Sequence, residues 1–353
     1  MRTSASRTRE AAGARRIGHP TLVVIGAINW DTTIFEGRFP EPGEEVPVKR
    51  VEGYPGGKGA NAAVAAARLL GKGRVTFIGA VGDDGMGATL RESLQSEGVL
   101  TDGLAITKGA ESGGAFVVVN ESGAKQIHTL FGANDSLAPR DLRLSPAKGA
   151  LSACAATVIM DVPLLAAIEA ARASKRAGAR VFYSPGVRIG GGGSLLQRAI
   201  GLSDHLVLDG IELSHLTSEH ESRRGLLKLS SLHPRLVTVA TLGSSGCLVA
   251  AGQSVIPVPP FDLRALGLRP VNSTGSGDAF LAAYTCYSLS GASPERAARW
   301  GNLAGALKAA SSATRGSPTR EELESAMKRF EGVRERPPGS PSKRASSRSR
   351  PRS

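Results

Sequence analysis

The chain has 353 residues, long enough for one large α/β domain or two modest ones, with 44 Lys and Arg against 31 Asp and Glu and a formal charge of +13. Ten of those charges sit at the ends, +4 on residues 1–20 and +6 on residues 334–353, which leaves +3 for residues 21–333, so the total does not read as a basic nucleic-acid face on the body and leaves only weak, salt-sensitive contact through the two ends. Aromatics at 4% disfavour base-stacking platforms, and no apolar run reaches the roughly 18 residues that a membrane span needs.

Residues 1–20, rich in Arg and Ser with no apolar core, read as a disordered basic extension rather than a secretory signal, with a transit peptide as the alternative. Residues 21–25 form a short β-branched run that meets Gly26, as a buried strand does. Residues 36–56 are rich in Gly, Pro and Glu and predict a loop with an edge strand over 46–51. An Ala-rich stretch predicts a helix over 59–70, stopped by Gly71. A strand over 75–78 and a helix over 87–97 follow. Residues 115–119 and 125–131 flank Asn120-Glu-Ser-Gly123 and predict a β-hairpin. From residue 157 strands and helices alternate: strands at 157–160, 180–183, 205–208 and 235–240, helices at 164–177 and 195–202. That rhythm argues for a mostly parallel sheet with helices on both faces. Three more helices are predicted at 277–290, 294–311 and 319–330. Residues 334–353, Arg, Ser and Pro without a large apolar side chain, cannot offset their ordering entropy and read as a disordered tail. The three cysteines, Cys154, Cys247 and Cys286, have no metal-ligand spacing, and their odd, scattered count points to a reducing compartment, hence the cytoplasm.

Two glycine-rich segments open helices. They are Gly56-Gly-Lys-Gly-Ala-Asn61 and Asn272-Ser-Thr-Gly-Ser-Gly-Asp278. Small residues let backbone N–H groups converge on an anion, and a helix N-terminus adds a favourable dipole. The second segment adds a carboxylate, Asp278, in the first turn. An anion nest beside a carboxylate suits phosphoryl transfer, in which the nest holds the phosphoryl group and the acid takes a proton from the attacking hydroxyl. The first segment is no P-loop, because its spacing is one short and no Ser or Thr follows Lys58. Gly57-x-Gly59-x-x-Ala62 imitates a dinucleotide fingerprint, but Pro55-Gly-Gly precedes it instead of a buried strand. Taken alone, either segment also reads as a tight turn plus helix packing.

Together these segments make residues 21–330 resemble the ribokinase/PfkB family of sugar kinases. Gly56-Gly-Lys-Gly-Ala-Asn-Ala-Ala-Val-Ala65 is similar to the first family signature and Ser273-Thr-Gly-Ser-Gly-Asp-Ala-Phe280 to the second. Gly26-Ala-Ile-Asn-Trp-Asp31, Val81-Gly-Asp-Asp-Gly85 and Thr241-Leu-Gly-Ser-Ser-Gly246 support them in the right order. The resemblance implies an α/β fold, a ribokinase-like three-layer α/β/α sandwich with a mostly parallel central sheet and a small β-sheet lid from about 32–56 and 112–131. It implies ATP-dependent phosphorylation of the primary hydroxyl of a small sugar, ribose first, with ATP and Mg²⁺ as cofactors. A nucleoside or another sugar is the alternative substrate, and a non-catalytic sugar- or nucleotide-sensing scaffold the alternative role.

By the same resemblance Asp278 is the catalytic base, and Gly275, Ser276 and Gly277 supply the anion hole. Asn29, Asp31, Gly57, Lys58, Asn61 and Asp161 face the sugar. Asp209, Glu212, Thr241, Gly243, Gly246 and Asn302 face the nucleotide and its metal. Asn272, Thr274 and Gly316 stand where the family holds a monovalent cation. Singly, Asp31 also reads as a turn former, Lys58 as a solvated residue, Asn61 as a cap, Asn302 as structural and 241–246 as a strand-to-strand turn. Two departures matter. Asn272 replaces the family's usual Asp, which puts K⁺ activation in doubt. Asp209-x-x-Glu212 replaces Asn-x-x-Glu and keeps oxygen ligands. Trp30 is bulkier than family members usually carry and suggests a reshaped pocket or base stacking. A homodimer through the lid edge is a further expectation.

Overall fold

Two sheets organise the computed structural model, which describes residues 22–334. In chain order the strands are β1 (Leu22–Gly26), β2 (Asn29–Glu36), β3 (Val48–Gly56), β4 (Val75–Gly82), β5 (Leu100–Thr107), β6 (Gly113–Val119) and β7 (Lys125–Leu130). They continue as β8 (Ala156–Met160), β9 (Arg180–Ser184), β10 (His205–Asp209), β11 (Val237–Thr241), β12 (Cys247–Ala251) and β13 (Ser254–Val258). The helices are α1 (Lys58–Leu70), α2 (Gly85–Ser96), α3 (Pro139–Arg143), α4 (Ala147–Ala153), α5 (Leu164–Arg176) and α6 (Gly193–Gly201). After them come α7 (Gly210–Thr217), α8 (Ser222–Leu232), α9 (Ser276–Leu289), α10 (Pro294–Ala309) and α11 (Arg320–Arg334).

The large sheet runs β13-β12-β11-β10-β9-β8-β1-β4-β5, parallel from β11 to β5 and antiparallel only at the β11–β12–β13 edge. Every residue of β1 is buried. Successive side chains point to opposite faces of a strand, so Leu22 and Val24 enter one apolar cluster with α1, α9 and α10, while Val23 and Ile25 enter another with α5. Helices therefore cover both faces, which is why these strands read as continuous apolar runs. The small sheet, ordered β3-β2-β6-β7, contains the expected hairpin as β6 and β7, with Gly123 at φ 80 in its turn.

The α/β/α architecture follows the sequence reading, with differences that have local causes. The strand expected over 46–51 begins at Val48 and runs to Gly56, because β2 pairs with it along its whole length. Its Pro55 is tolerated at a sheet edge. β2 and β5 escape a periodicity reading, since β2 is built largely of polar and part-buried residues and β5 is a half-exposed edge carrying Asp102 and Gly103. Strands β12 and β13 and helices α3, α4, α7 and α8 are likewise additions. The N-terminal extension and the tail lie outside the described residues, apart from Arg334, which ends α11. Among the described residues no helix is long and apolar enough to cross a membrane.

Candidate active site

The expected site residues gather at the carboxyl edge of the parallel strands, the usual ligand position in open α/β sheets. Asn29 and Asp31 follow β1, Asp161 follows β8, Asp209 ends β10 and Thr241 ends β11. The first glycine-rich segment brings α1 onto the end of β1. Gly57 has φ 88, and a Cβ there would lie 2.6 Å from the Ile28 Cα. The second segment turns at Gly275, φ 82, where a Cβ would meet the Thr314 carbonyl at 2.8 Å. These turns place the first turns of α1 and α9 side by side. Asn61 Nδ2 donates across the gap to Asp278 Oδ2 at 2.9 Å, and both residues are buried.

Burial pushes the Asp278 carboxyl up to about 6, against the Asn61 N–H and the charges of Lys58 and Lys308, which favour the carboxylate. Asp31 rises further, to about 7, through burial and then the charge of Asp278, with Arg315 opposing. Arg315 Nε donates to Asn61 Oδ1 at 3.2 Å, and its terminal nitrogens donate to Ser93 Oγ at 2.6 Å and the Gly56 carbonyl at 3.2 Å. A Cβ on Gly56 would overlap the Asp31 carboxylate, so this glycine gives the acid its seat. Asn29 Oδ1 accepts from Asn134 Nδ2 at 2.9 Å, and Asn134 also bonds both backbone groups of Ile28. Trp30 lies on the opposite face of β2 from Asn29 and Asp31. Its indole rests on Gly53 and the apolar core, so it does not stand with those two residues as a stacking platform.

Lys58 opens α1 with its ammonium 3.6 Å from Glu212. Burial disfavours its charge, but Asp161, Glu212, Asp278 and Asp209 together hold it above the usual lysine range. Asp161 is buried in a left-handed conformation, φ 52, with Arg188 Nε 3.7 Å away. Arg188 also pairs with Asp135 at 2.6 Å and lies over the Phe131 ring. Asp161 Oδ1 and Arg188 Nε are buried without hydrogen-bond partners, and burial raises the Asp161 carboxyl against Lys58 and Arg188. Asp209 and Glu212 form a capping box at the start of α7, Asp209 Oδ1 accepting from Glu212 N–H at 2.7 Å and Glu212 Oε2 from Asp209 N–H at 3.0 Å.

Of the three residues expected to form an anion hole, one has its N–H engaged elsewhere. A turn over 273–276 takes the Ser276 N–H onto the Ser273 carbonyl at 3.1 Å. Gly277 and Asp278 head α9 with N–H groups that have no acceptor within the helix. Ser276 Oγ is buried without a partner. Of the residues expected to face the nucleotide, Thr241-Leu-Gly-Ser-Ser-Gly246 is the β11–β12 connection, with the Leu242 N–H on the Gly246 carbonyl at 2.8 Å and Gly243 exposed. Asn302 Nδ2 donates to the Val258 and Pro259 carbonyls, both at 3.1 Å, which secures the end of β13. Asn272 Nδ2 donates to the Ser312 carbonyl and its Oδ1 accepts from the Thr274 N–H, both at 3.0 Å. Gly316 packs against Ser311. The Val81–Gly85 motif has a supporting duty: Asp84 caps α2 and binds Ser112 at the root of β6.

A model of the pfkB family of carbohydrate kinases matches residues 19–320. The chain belongs to that family. It is 31% identical over 309 residues to a ribokinase from Haemophilus influenzae, covering 86% of this chain and 96% of that protein. It is also 31% identical over 304 residues to a ribokinase from Bacillus subtilis, covering 86% of this chain and 98% of that one. A solved structure of Arabidopsis thaliana ribokinase complexed with ribose and ATP superposes with a TM-score of 0.77 at 25% identity, covering 89% of this chain and 99% of that one.

Two site residues of this carbohydrate kinase were absent from the sequence reading. Arg315 sits between an Ala-rich helix end and Gly316, where a basic residue reads as solvated. Lys308, in α10, is 1% exposed, and its ammonium donates to the Asn272 carbonyl at 2.9 Å beside the start of α9. The available signal was Gly301-xxx-Gly305. These glycines lie against Phe280 and Ser276, and Lys308 follows one turn later on the same face.

Proposed function

We propose that this kinase transfers the γ-phosphoryl group of ATP to the primary hydroxyl of ribose. The observation that carries the reading is the Asn61–Asp278 pair joining two helix N-termini at the carboxyl edge of the sheet, together with the similarity to ribokinases. Asp278 takes the hydroxyl proton as the oxygen attacks phosphorus. Asn61 holds the carboxylate in place, and the N–H groups of Gly277 and Asp278, with the unpartnered Ser276 hydroxyl, meet the charge on the transferring group. Asn29, Asp31, Lys58 and Asp161 accept from and donate to vicinal sugar hydroxyls. Gly57, strained and close to the chain, shapes the wall.

Mg²⁺ bound through one or two carboxylates plus substrate phosphates is the common arrangement. Asp209 and Glu212 are suitable oxygen donors, and the metal would neutralise charge on the β- and γ-phosphates. Thr241, Gly243 and Gly246 border the nucleotide, while Asn302 supports that wall through β13. The four-stranded sheet acts as the lid over the sugar and limits wasteful hydrolysis. Its strands β3, β6 and β7 leave Val51, Phe116 and Ile127 exposed, which supports a homodimer through this sheet. Three free, buried cysteines support a cytoplasmic setting.

The test is ADP release from MgATP with a panel of pentoses, hexoses and nucleosides compared by kcat/KM. Ribose is expected to lead. A nucleoside or hexose with the higher kcat/KM would replace ribose as the substrate. Ligand-induced melting shifts without ADP release would replace the enzyme with a sensor.

A further inference from the structure

A buried lysine beside the phosphoryl-binding nest has no duty in the scheme above. Among the described residues Lys308 is the only lysine that is a fully buried large side chain. α10 runs antiparallel along α9 with Gly301 and Gly305 against Phe280 and the Ser276 carbonyl, and this close approach carries position 308 to the head of α9. There the Nζ donates to the Asn272 carbonyl, and the side-chain Cε lies 3.5 Å from where a Gly275 Cβ would stand. Burial pulls the Lys308 ammonium down to about 8, with the Asp278 carboxylate opposing that fall, and the ammonium in turn favours the Asp278 carboxylate. This is also the place where the resemblance implies a monovalent cation.

The oxygen set does not suit a free ion. Asn272 brings no carboxylate, its Oδ1 is spent on the Thr274 N–H and its main-chain oxygen on Lys308. We propose that the Lys308 ammonium is a built-in monovalent cation that makes phosphoryl transfer independent of K⁺. An ammonium matches K⁺ in charge and closely in size. Tethered to α10, it needs no carboxylate to hold it, which accounts for an amide at position 272. It fixes the 272–275 turn from below and places a positive charge behind the nest that receives the γ-phosphoryl group. Lys308 is thus a positioning residue, acting through the nest and Asp278 rather than touching substrate.

The inference rests on the kinase reading, and the experiment separates the two. ADP release is measured with ribose and MgATP at constant ionic strength, with tetramethylammonium, Na⁺ or K⁺ as the monovalent cation. The wild-type rate is expected to be the same in all three. Lys308→Ala is expected to lose kcat on the order of tenfold or more with little change in the ribose KM. K⁺ or ammonium is expected to return part of that rate, and Na⁺ much less. Lys308→Met keeps the apolar stem and should show the same loss, guarding against a packing defect. Strong K⁺ activation of the wild type overturns the proposal without any variant. So does a folded Lys308→Ala that keeps its rate, or one that no small cation rescues. Absence of sugar-dependent ADP release in every salt would instead overturn the kinase reading, and this one with it.

Discussion

Asn61 and Asp278 lie 217 residues apart in the chain and 2.9 Å apart in the fold. Each stands in the first turn of a glycine-opened helix, so the hydrogen bond exists only because α1 and α9 start at the same point. In the proposed mechanism the second Asp278 oxygen receives the substrate hydroxyl. Asp278→Asn keeps the shape and can still accept from Asn61, but it cannot take a proton. Its kcat is expected to fall by roughly 10²–10⁴ while ribose and ATP still raise the melting temperature. Full activity in this variant would remove Asp278 as the base.

The same substitution makes a stability prediction whose sign follows from burial. The Asp278 carboxyl moves from 3.8 to about 6 in the folded chain, so folding favours its protonated form. The resulting penalty is absent below the unfolded value near 4 and complete above about 6. Asp278→Asn should therefore melt higher than the wild type at pH 8, by up to roughly 3 kcal/mol of stability, and the gain should vanish near pH 4. Thermal scans at both pH values check this, and a variant less stable at pH 8 would contradict the assignment.

Catalysis should respond in the opposite sense. A base must be ionised, so kcat/KM should fall as pH drops through 7 towards 6, the window of Asp31 and Asp278. Asn61→Leu removes the N–H that favours the Asp278 carboxylate, so the acid limb of its pH–rate profile should move to higher pH. An acid limb that stays in place would mean another group governs it.

Much of this site could be read from sequence because its demands are local. A glycine at φ 88 or 82 is required by its own backbone, and Asn61 and Asp278 belong to segments whose helix starts are marked by those glycines. Strand β1 was equally plain, being apolar on both faces. What stayed hidden depends on the assembly. Lys308 within Ala-Leu-Lys-Ala-Ala looks solvated until Gly301 and Gly305 are seen against α9. Trp30 looked like a pocket wall until strand alternation turned it away. The Ser276 N–H counted as a donor until the preceding turn used it.

Gly57 tests how tightly the first segment is bound to the sheet. Its φ of 88 is hostile to a side chain, and the added Cβ would stand 2.6 Å from the Ile28 Cα and 2.7 Å from the Asn29 nitrogen. Gly57→Ala must therefore shift α1 or the start of β2, at a cost of order 1–3 kcal/mol. A lower melting temperature with a raised ribose KM is expected, since Asn29 and Asn61 move with those elements. An unchanged KM in a folded variant would show that the seat of α1 does not set the sugar wall.

Arg315 separates charge from geometry in the same pocket. Its guanidinium reaches Asn61 Oδ1, Ser93 Oγ and the Gly56 carbonyl, and its charge restrains the rise of Asp31. Arg315→Met removes both contributions. Asn61 loses the partner that orients its amide, and Asp31 loses the nearby cation, so its pKa climbs further. The ribose KM should increase, and the acid limb of kcat/KM should move to higher pH. Arg315→Lys restores a positive charge without the planar fork. It should bring the acid limb back towards the wild-type position while leaving KM high. Parallel pH–rate profiles of the three proteins check this. If Lys restored KM as well as the acid limb, charge alone would explain Arg315, and its three directed hydrogen bonds would have no part in holding the sugar.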